Sequence, residues 1–120
     1  MSTILIVDDS RFMRGYLKRM IQQYGYPDVI EAADGQEAIN VYKYCNPTIV
    51  FLDITMPNVD GLTALEKIIE FNPNAKVVMC SAIGTEFNVV EALKLGATNF
   101  IVKPNFGSLA DILEKHCHTN

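Results

Sequence analysis

The sequence predicts a doubly wound α/β domain, in which a parallel sheet of five strands carries helices on both faces. Three observations predict it. Five short apolar runs are rich in Ile and Val, longer amphipathic stretches separate them, and most runs end abruptly at a polar residue. The runs are mostly continuous rather than alternating, which is how strands buried on both faces read. Strand and helix alternate five times along the chain, the signature of the α/β class.

The first run, Thr3–Val7, ends in Asp8-Asp9. Met13, Leu17, Met20, Ile21 and Tyr24 follow at helical spacing. The second run, Val29–Ala32, leads to Asp34 and Glu37, a capping box ahead of Ala38, Ile39 and Tyr42. The third, Thr48–Leu52, ends in Asp53, and Leu62, Leu65, Ile68 and Ile69 form the next stripe. The fourth, Lys76–Cys80, ends in Ser81. Its helix carries Val89, Val90 and Leu93 and stops at Gly96, a C-terminal glycine. The fifth, Asn99–Val102, ends in Lys103-Pro104, and Leu109, Ile112, Leu113 and His116 form the last stripe.

Composition narrows the function. A chain of 120 residues is one domain with room for a core. Net charge is −4 and the basic residues are scattered, so the concentrated positive field of a nucleic-acid binder is missing. No apolar run approaches the ~20 residues of a membrane span, and Met1-Ser2-Thr3 meets acid too soon for a signal peptide. Cys45, Cys80 and Cys117 are odd in number and lack C-x-x-C spacing, which predicts a reduced, cytoplasmic compartment. Cys80 reads as a small core residue. His116-Cys117-His118 reads as a fraying terminus, because adjacent helical residues make a poor chelate. Arg11, Arg14, Lys18 and Arg19 read as the solvated face of the first helix.

Parallel connections are right-handed, and in such sheets ligands bind at the carboxyl ends of the strands near the reversal of strand order. Asp8-Asp9, Asp53, Ser81 and Lys103 therefore share one sheet edge. Three carboxylates there call for a cation, and hard oxygen ligands suit Mg²⁺ or Mn²⁺ rather than Zn²⁺. Asp8 or Asp9, Asp53 and a backbone carbonyl could hold it. The cation and Lys103 together would cancel the acids, so an incoming phosphoryl group meets a neutralised site. A carboxylate can be the nucleophile and form an aspartyl phosphate. At a reference pKa near ~3.9 it is ionised at pH 7 and needs no general base. Lys103 and the Ser81 hydroxyl can each bond a phosphoryl oxygen.

Asp8-Asp9, Asp53 in Asp53-Ile54-Thr55-Met56-Pro57, Ser81-Ala82 and Lys103-Pro104 closely resemble the response-regulator receiver domain, in order along the whole chain. The resemblance implies a three-layer αβα fold with the flavodoxin-like strand order 2-1-3-4-5. It implies that Asp53 is the phosphoacceptor and that Asp8 and Asp9 bind the metal, one partly through water. Thr55 would lend its backbone carbonyl to the ion. Ser81 would sense the phosphate, Phe100 would be the aromatic switch, and the Lys103-Pro104 bond would be cis. Asp60-Gly61 would form the turn after the phosphorylation loop.

On this reading residues 1–120 are one receiver domain with no output domain, acting as a phosphoacceptor rather than a turnover enzyme. The wording of Cys80-Ser81-Ala82 and of the stretch from Gly96 to Pro104 looks most like chemotaxis regulators of the CheY type. The implied partners are a chemotaxis-type histidine kinase, a flagellar switch component and a phosphatase, with the protein a monomer. The basic residues of the first helix would then serve kinase docking. Thr55 and Ile83, each two residues beyond a site residue, offer no carboxylate or amide to orient water, which predicts a long-lived aspartyl phosphate. The alternative is a phosphorelay intermediate serving a histidine phosphotransfer domain. More remote is an Mg²⁺-dependent phosphatase resembling the haloacid-dehalogenase type, whose D-x-D-x-T pattern fails here because Thr55 stands at the second acid. A flavodoxin would need a Ser/Thr- and Gly-rich phosphate loop, which Asp8-Asp9 replaces.

Overall fold

The computed structural model describes residues 2–117. Strands β1 (Ile4–Val7), β2 (Val29–Ala32), β3 (Ile49–Leu52), β4 (Val77–Ser81) and β5 (Asn99–Val102) form one parallel sheet, ordered β2-β1-β3-β4-β5. Helices α1 (Arg11–Gln23), α2 (Gly35–Cys45), α3 (Gly61–Phe71), α4 (Glu86–Lys94) and α5 (Leu109–His116) connect and follow the strands. Strand alternation divides the core in two. Leu5, Val7, Val50, Leu52, Val77 and Met79 meet Ala38, Tyr42, Leu65 and Ile68 from α2 and α3. Ile4, Ile6, Ile49, Phe51, Val78 and Cys80 meet Leu17 and Ile21 of α1 and Leu109 and Leu113 of α5 on the other face. Two covered faces are why the three central strands read as unbroken apolar runs.

The helix starts follow from local chemistry. The side chains of Ser10, Asp34, Asp60 and Thr85 each accept from the main-chain N–H three residues on, satisfying an orphan donor of the first turn. Past α4, Gly96 takes φ +105°, a backbone region that favours glycine.

Several expectations are corrected. The strands start one residue late at Ile4, Ile49 and Val77, and β4 includes Ser81. The edge strands are half covered: in β2 Glu31 is exposed, and in β5 so is Val102. Tyr24 leaves the α1 stripe, being the exposed C-cap residue, and Tyr26 is buried instead. The α4 stripe is not a core stripe. Ala92 is its buried residue, while Val90 and Leu93 are 41% and 50% exposed, because α4 turns its narrow alanine side to the sheet. Asp60-Gly61 is the N-cap and first residue of α3 rather than a free turn. Cys117 does not fray; it is buried in the α1–α5 cluster. His118 lies outside the described residues.

Candidate functional site

Register builds the site. Val7 pairs with Leu52, and the Asp53 N–H donates to the Val7 carbonyl at 3.0 Å, so Asp8 and Asp53 leave the sheet side by side. Ser81 pairs with Val102, and the Lys103 N–H donates to the Ser81 carbonyl at 2.8 Å, which brings Lys103 to the same edge. Carboxylate oxygens of Asp8, Asp9 and Asp53 lie within 4.8 Å of one another. Asp8 and Asp53 are buried and Asp9 is exposed. Lys103 Nζ donates to Asp8 Oδ2 at 2.7 Å and stands 3.6 Å from Asp53 Oδ1. The Ser10 N–H holds Asp8 Oδ1 and the Ile54 N–H holds Asp53 Oδ1, both at 2.8 Å.

Burial dominates the electrostatics of Asp53 and raises its pKa to about 6; Lys103 pulls it down, Asp8 and Asp9 push it up, and the Ile54 N–H lowers it. At pH 7 about nine in ten Asp53 side chains are still ionised. The expected pKa near the reference value of ~3.9 is therefore corrected upward. Burial works against the charge of Lys103, yet the Asp8 hydrogen bond and the Asp53 charge outweigh it and hold the ammonium above its ordinary pKa.

The donor set fits a hard divalent cation. Every side-chain ligand on offer is a carboxylate, and three acids against one lysine leave a net charge of −2 that such an ion would balance. Thr55 is exposed in the loop two residues past Asp53, between the buried side chains of Ile54 and Met56. That loop is pinned from behind. A Cβ at Gly61 would run into the Asp53 main-chain carbonyl, and the Gly61 N–H donates to the Ile54 carbonyl at 2.7 Å.

Ser81 is buried, and its hydroxyl oxygen accepts from the Ile83 N–H at 3.0 Å, which leaves its proton to donate elsewhere. Phe100 is partly buried against the α2–α3 core cluster and pairs in register with Met79. The Lys103-Pro104 peptide is cis. His116 is away from this edge, near Lys76 at the other end of β4.

Sequence reasoning missed Arg14. Its spacing puts it on the solvated face of α1, yet its side chain is only 15% exposed and reaches back to the Asp8 carbonyl. Its ion-pair partner Glu31 is one residue before the end of β2, and nothing in the spacing of the two announces the contact.

A parallel sheet of this order, with an acidic cluster and a lysine at its carboxyl edge, defines an α/β domain of the flavodoxin-like class. Residues 4–115 match the response regulator receiver domain, and the chain belongs to that family, which places it in two-component signalling. It is 50% identical over 101 residues to the chemotaxis protein CheY of Thermotoga maritima, covering 84% of each chain. It is also 50% identical over 104 residues to CheY of Listeria monocytogenes, covering 87% of each. Among solved structures it resembles the CheX–CheY–BeF3–Mg²⁺ complex of Borrelia burgdorferi, with TM-score 0.89 and 43% identity over 98% of this chain and 90% of that one. Receiver domains bind Mg²⁺ at an acidic pocket and act as phosphoacceptors rather than turnover enzymes. Among the described residues no helix is long and apolar enough to cross a membrane.

Proposed function

We propose that Asp53 accepts a phosphoryl group from a chemotaxis-type histidine kinase, and that the modification switches binding of a target protein of the flagellar-switch kind. The observation that carries this reading is the meeting of Asp8, Asp9 and Asp53 within 4.8 Å, with Lys103 spanning Asp8 and Asp53. The likeness to CheY proteins supports the chemotaxis assignment.

In the proposed transfer an Asp53 carboxylate oxygen attacks phosphorus on a phosphohistidine. The new O–P bond replaces the P–N bond, and the imidazole nitrogen keeps the electron pair and takes a proton from water. Oδ1 is already engaged by the Ile54 N–H, so Oδ2 is the attacking atom. Asp8, Asp9, Asp53 and the Thr55 backbone carbonyl would hold Mg²⁺ or Mn²⁺, which when bound offsets the charge the phosphoryl oxygens bring. Lys103 swings from the carboxylates to one phosphoryl oxygen, and the Ser81 hydroxyl donates a hydrogen bond to another. Drawing Ser81 inward opens space for Phe100 to turn in, and the α4–β5–α5 face changes shape. The protein works as a monomeric, cytoplasmic receiver domain spanning residues 1–120. A phosphatase resets it; a neighbouring CheY solved together with CheX supports a further protein partner.

The test is incubation with acetyl phosphate and Mg²⁺ followed by mass measurement. A gain of one phosphoryl group, lost in Asp53→Asn and blocked by a chelator, is the expected result. Steady hydrolysis with no covalent adduct would replace this reading with an aspartyl-nucleophile phosphatase. Capture of a histidine phosphotransfer domain in place of a flagellar switch protein would make the chain a phosphorelay intermediate.

A further inference from the structure

We infer that Arg14 and Glu31 form a positioning clamp that sets the divalent-cation affinity of the acidic site. The inference rests on the phosphoacceptor reading above. Arg14 Nη1 donates to the main-chain carbonyl of Asp8 at 2.7 Å, and its Nε donates to Glu31 Oε1 at 3.1 Å. Lys18 Nζ stands 3.5 Å from Glu31 Oε2, so the β2 carboxylate anchors two cations of α1. The Asp8 N–H donates to the Ala32 carbonyl at 3.2 Å, which ties the same residue to β2 from its other side.

The mechanism follows from the planarity of the peptide. The Asp8 carbonyl and the Asp9 N–H belong to one rigid plane. A guanidinium fixed on that carbonyl therefore fixes the direction in which Asp9 departs. Asp8 has its own restraints, since Ser10 and Lys103 hold its two carboxylate oxygens. Asp9 is exposed, and its placement depends on the backbone beneath it. The fork geometry of Arg allows two partners to be held at once, which a lysine ammonium on a flexible stem does poorly. Groups that orient metal ligands from behind are commonly worth about 10- to 100-fold in metal affinity.

Charge alone would act with the opposite sign. Arg14 is a cation near three carboxylates, so deleting it for electrostatic reasons should tighten Mg²⁺ binding, and deleting Glu31 should weaken it. The clamp makes both deletions weaken binding. The experiment is calorimetric Mg²⁺ titration of the full chain, checked by Mn²⁺ paramagnetic resonance, on Arg14→Ala, Arg14→Lys, Glu31→Ala and the double alanine variant. Expected are a loss of about tenfold for Arg14→Ala, about threefold for Glu31→Ala and an intermediate loss for Arg14→Lys. The double variant should be no weaker than Arg14→Ala, because both residues act through one contact. Unfolding in EDTA is measured alongside. A stability loss with unchanged Mg²⁺ affinity, or tighter binding in Arg14→Ala, overturns the clamp. Should Arg14→Ala fail to fold, Arg14→Lys decides it, because it keeps the charge and loses the fork; unchanged or tighter Mg²⁺ binding in that variant again overturns the clamp. A wild-type protein that binds no Mg²⁺ would instead overturn the phosphoacceptor reading itself.

Discussion

Replacing Asp53 with Asn should make the metal-free protein more stable. Burial raises the Asp53 pKa from 3.8 to about 6, so the folded site disfavours the ionised form. That rise corresponds to about 3 kcal/mol against the carboxylate at pH 7. The folded state keeps the proton to higher pH than the unfolded state does. The stability this group contributes is thus complete below about pH 4 and is lost as pH rises through about 6. Asn imitates the protonated acid in shape without ever carrying its charge. In EDTA at pH 7 the variant should gain about 3 kcal/mol in urea unfolding, or roughly 10 °C in Tm for a domain of this size. The gap should close below pH 4. It should also close on adding Mg²⁺, because an ion at a hundredfold excess over its Kd returns about 2.7 kcal/mol to the wild type. A variant less stable than wild type at pH 7 in EDTA, or a gap that persists unchanged at pH 3.5, would refute this account of the Asp53 environment.

The other predictions concern neighbours of that carboxylate. Lys103→Ala should tighten Mg²⁺ binding several-fold, since the ammonium at 2.7 Å from Asp8 and 3.6 Å from Asp53 competes for the same oxygens; it should also slow phosphoryl uptake from acetyl phosphate at least tenfold. Titration and mass measurement check the two effects. Gly61→Ala should cost about 3 kcal/mol in urea unfolding, because its Cβ meets the rigid Asp53 main chain. Thr55→Glu should shorten the aspartyl-phosphate half-life several-fold by supplying an oxygen that orients water, read as decay in Mg²⁺ after the donor is removed. Phe100→Ala should abolish the phosphate dependence of target binding while leaving phosphoryl uptake intact, measured as target affinity with and without acetyl phosphate.

The carboxyl edge was legible in the sequence because the site residues stand at or just past the ends of apolar strands, and a strand's end is sharp when the next residue is Asp8, Asp53 or Lys103. Asp60 was misread as a turn because turns and helix caps favour the same residue types. The α4 stripe misled for a different reason. Val90 and Leu93 have helical spacing, but spacing says only that residues share a face, and here that face looks outward. Arg14 was invisible because a long side chain near β2 is identical in sequence to one in solvent, and its partner Glu31 is seventeen positions away. The raised pKa of Asp53 was out of reach for the same reason: it is a property of what closes around the carboxylate, which no local pattern records.

The thin attachment of α4 has a thermodynamic meaning. Ala92 is the side chain it buries, while Phe87, Val90 and Leu93 stay in contact with water, so little apolar area is lost from the interior when this helix shifts. Its local opening free energy therefore belongs at the low end of the range that stretches up to the global stability. Inverting a two-state ratio from 1:99 to 99:1 takes about 5.5 kcal/mol of differential binding. A segment whose two arrangements differ by less than that can be tipped by the few charged contacts that one phosphoryl group makes. The central strands and α2 and α3, clamped by full layers of side chains, have no such slack.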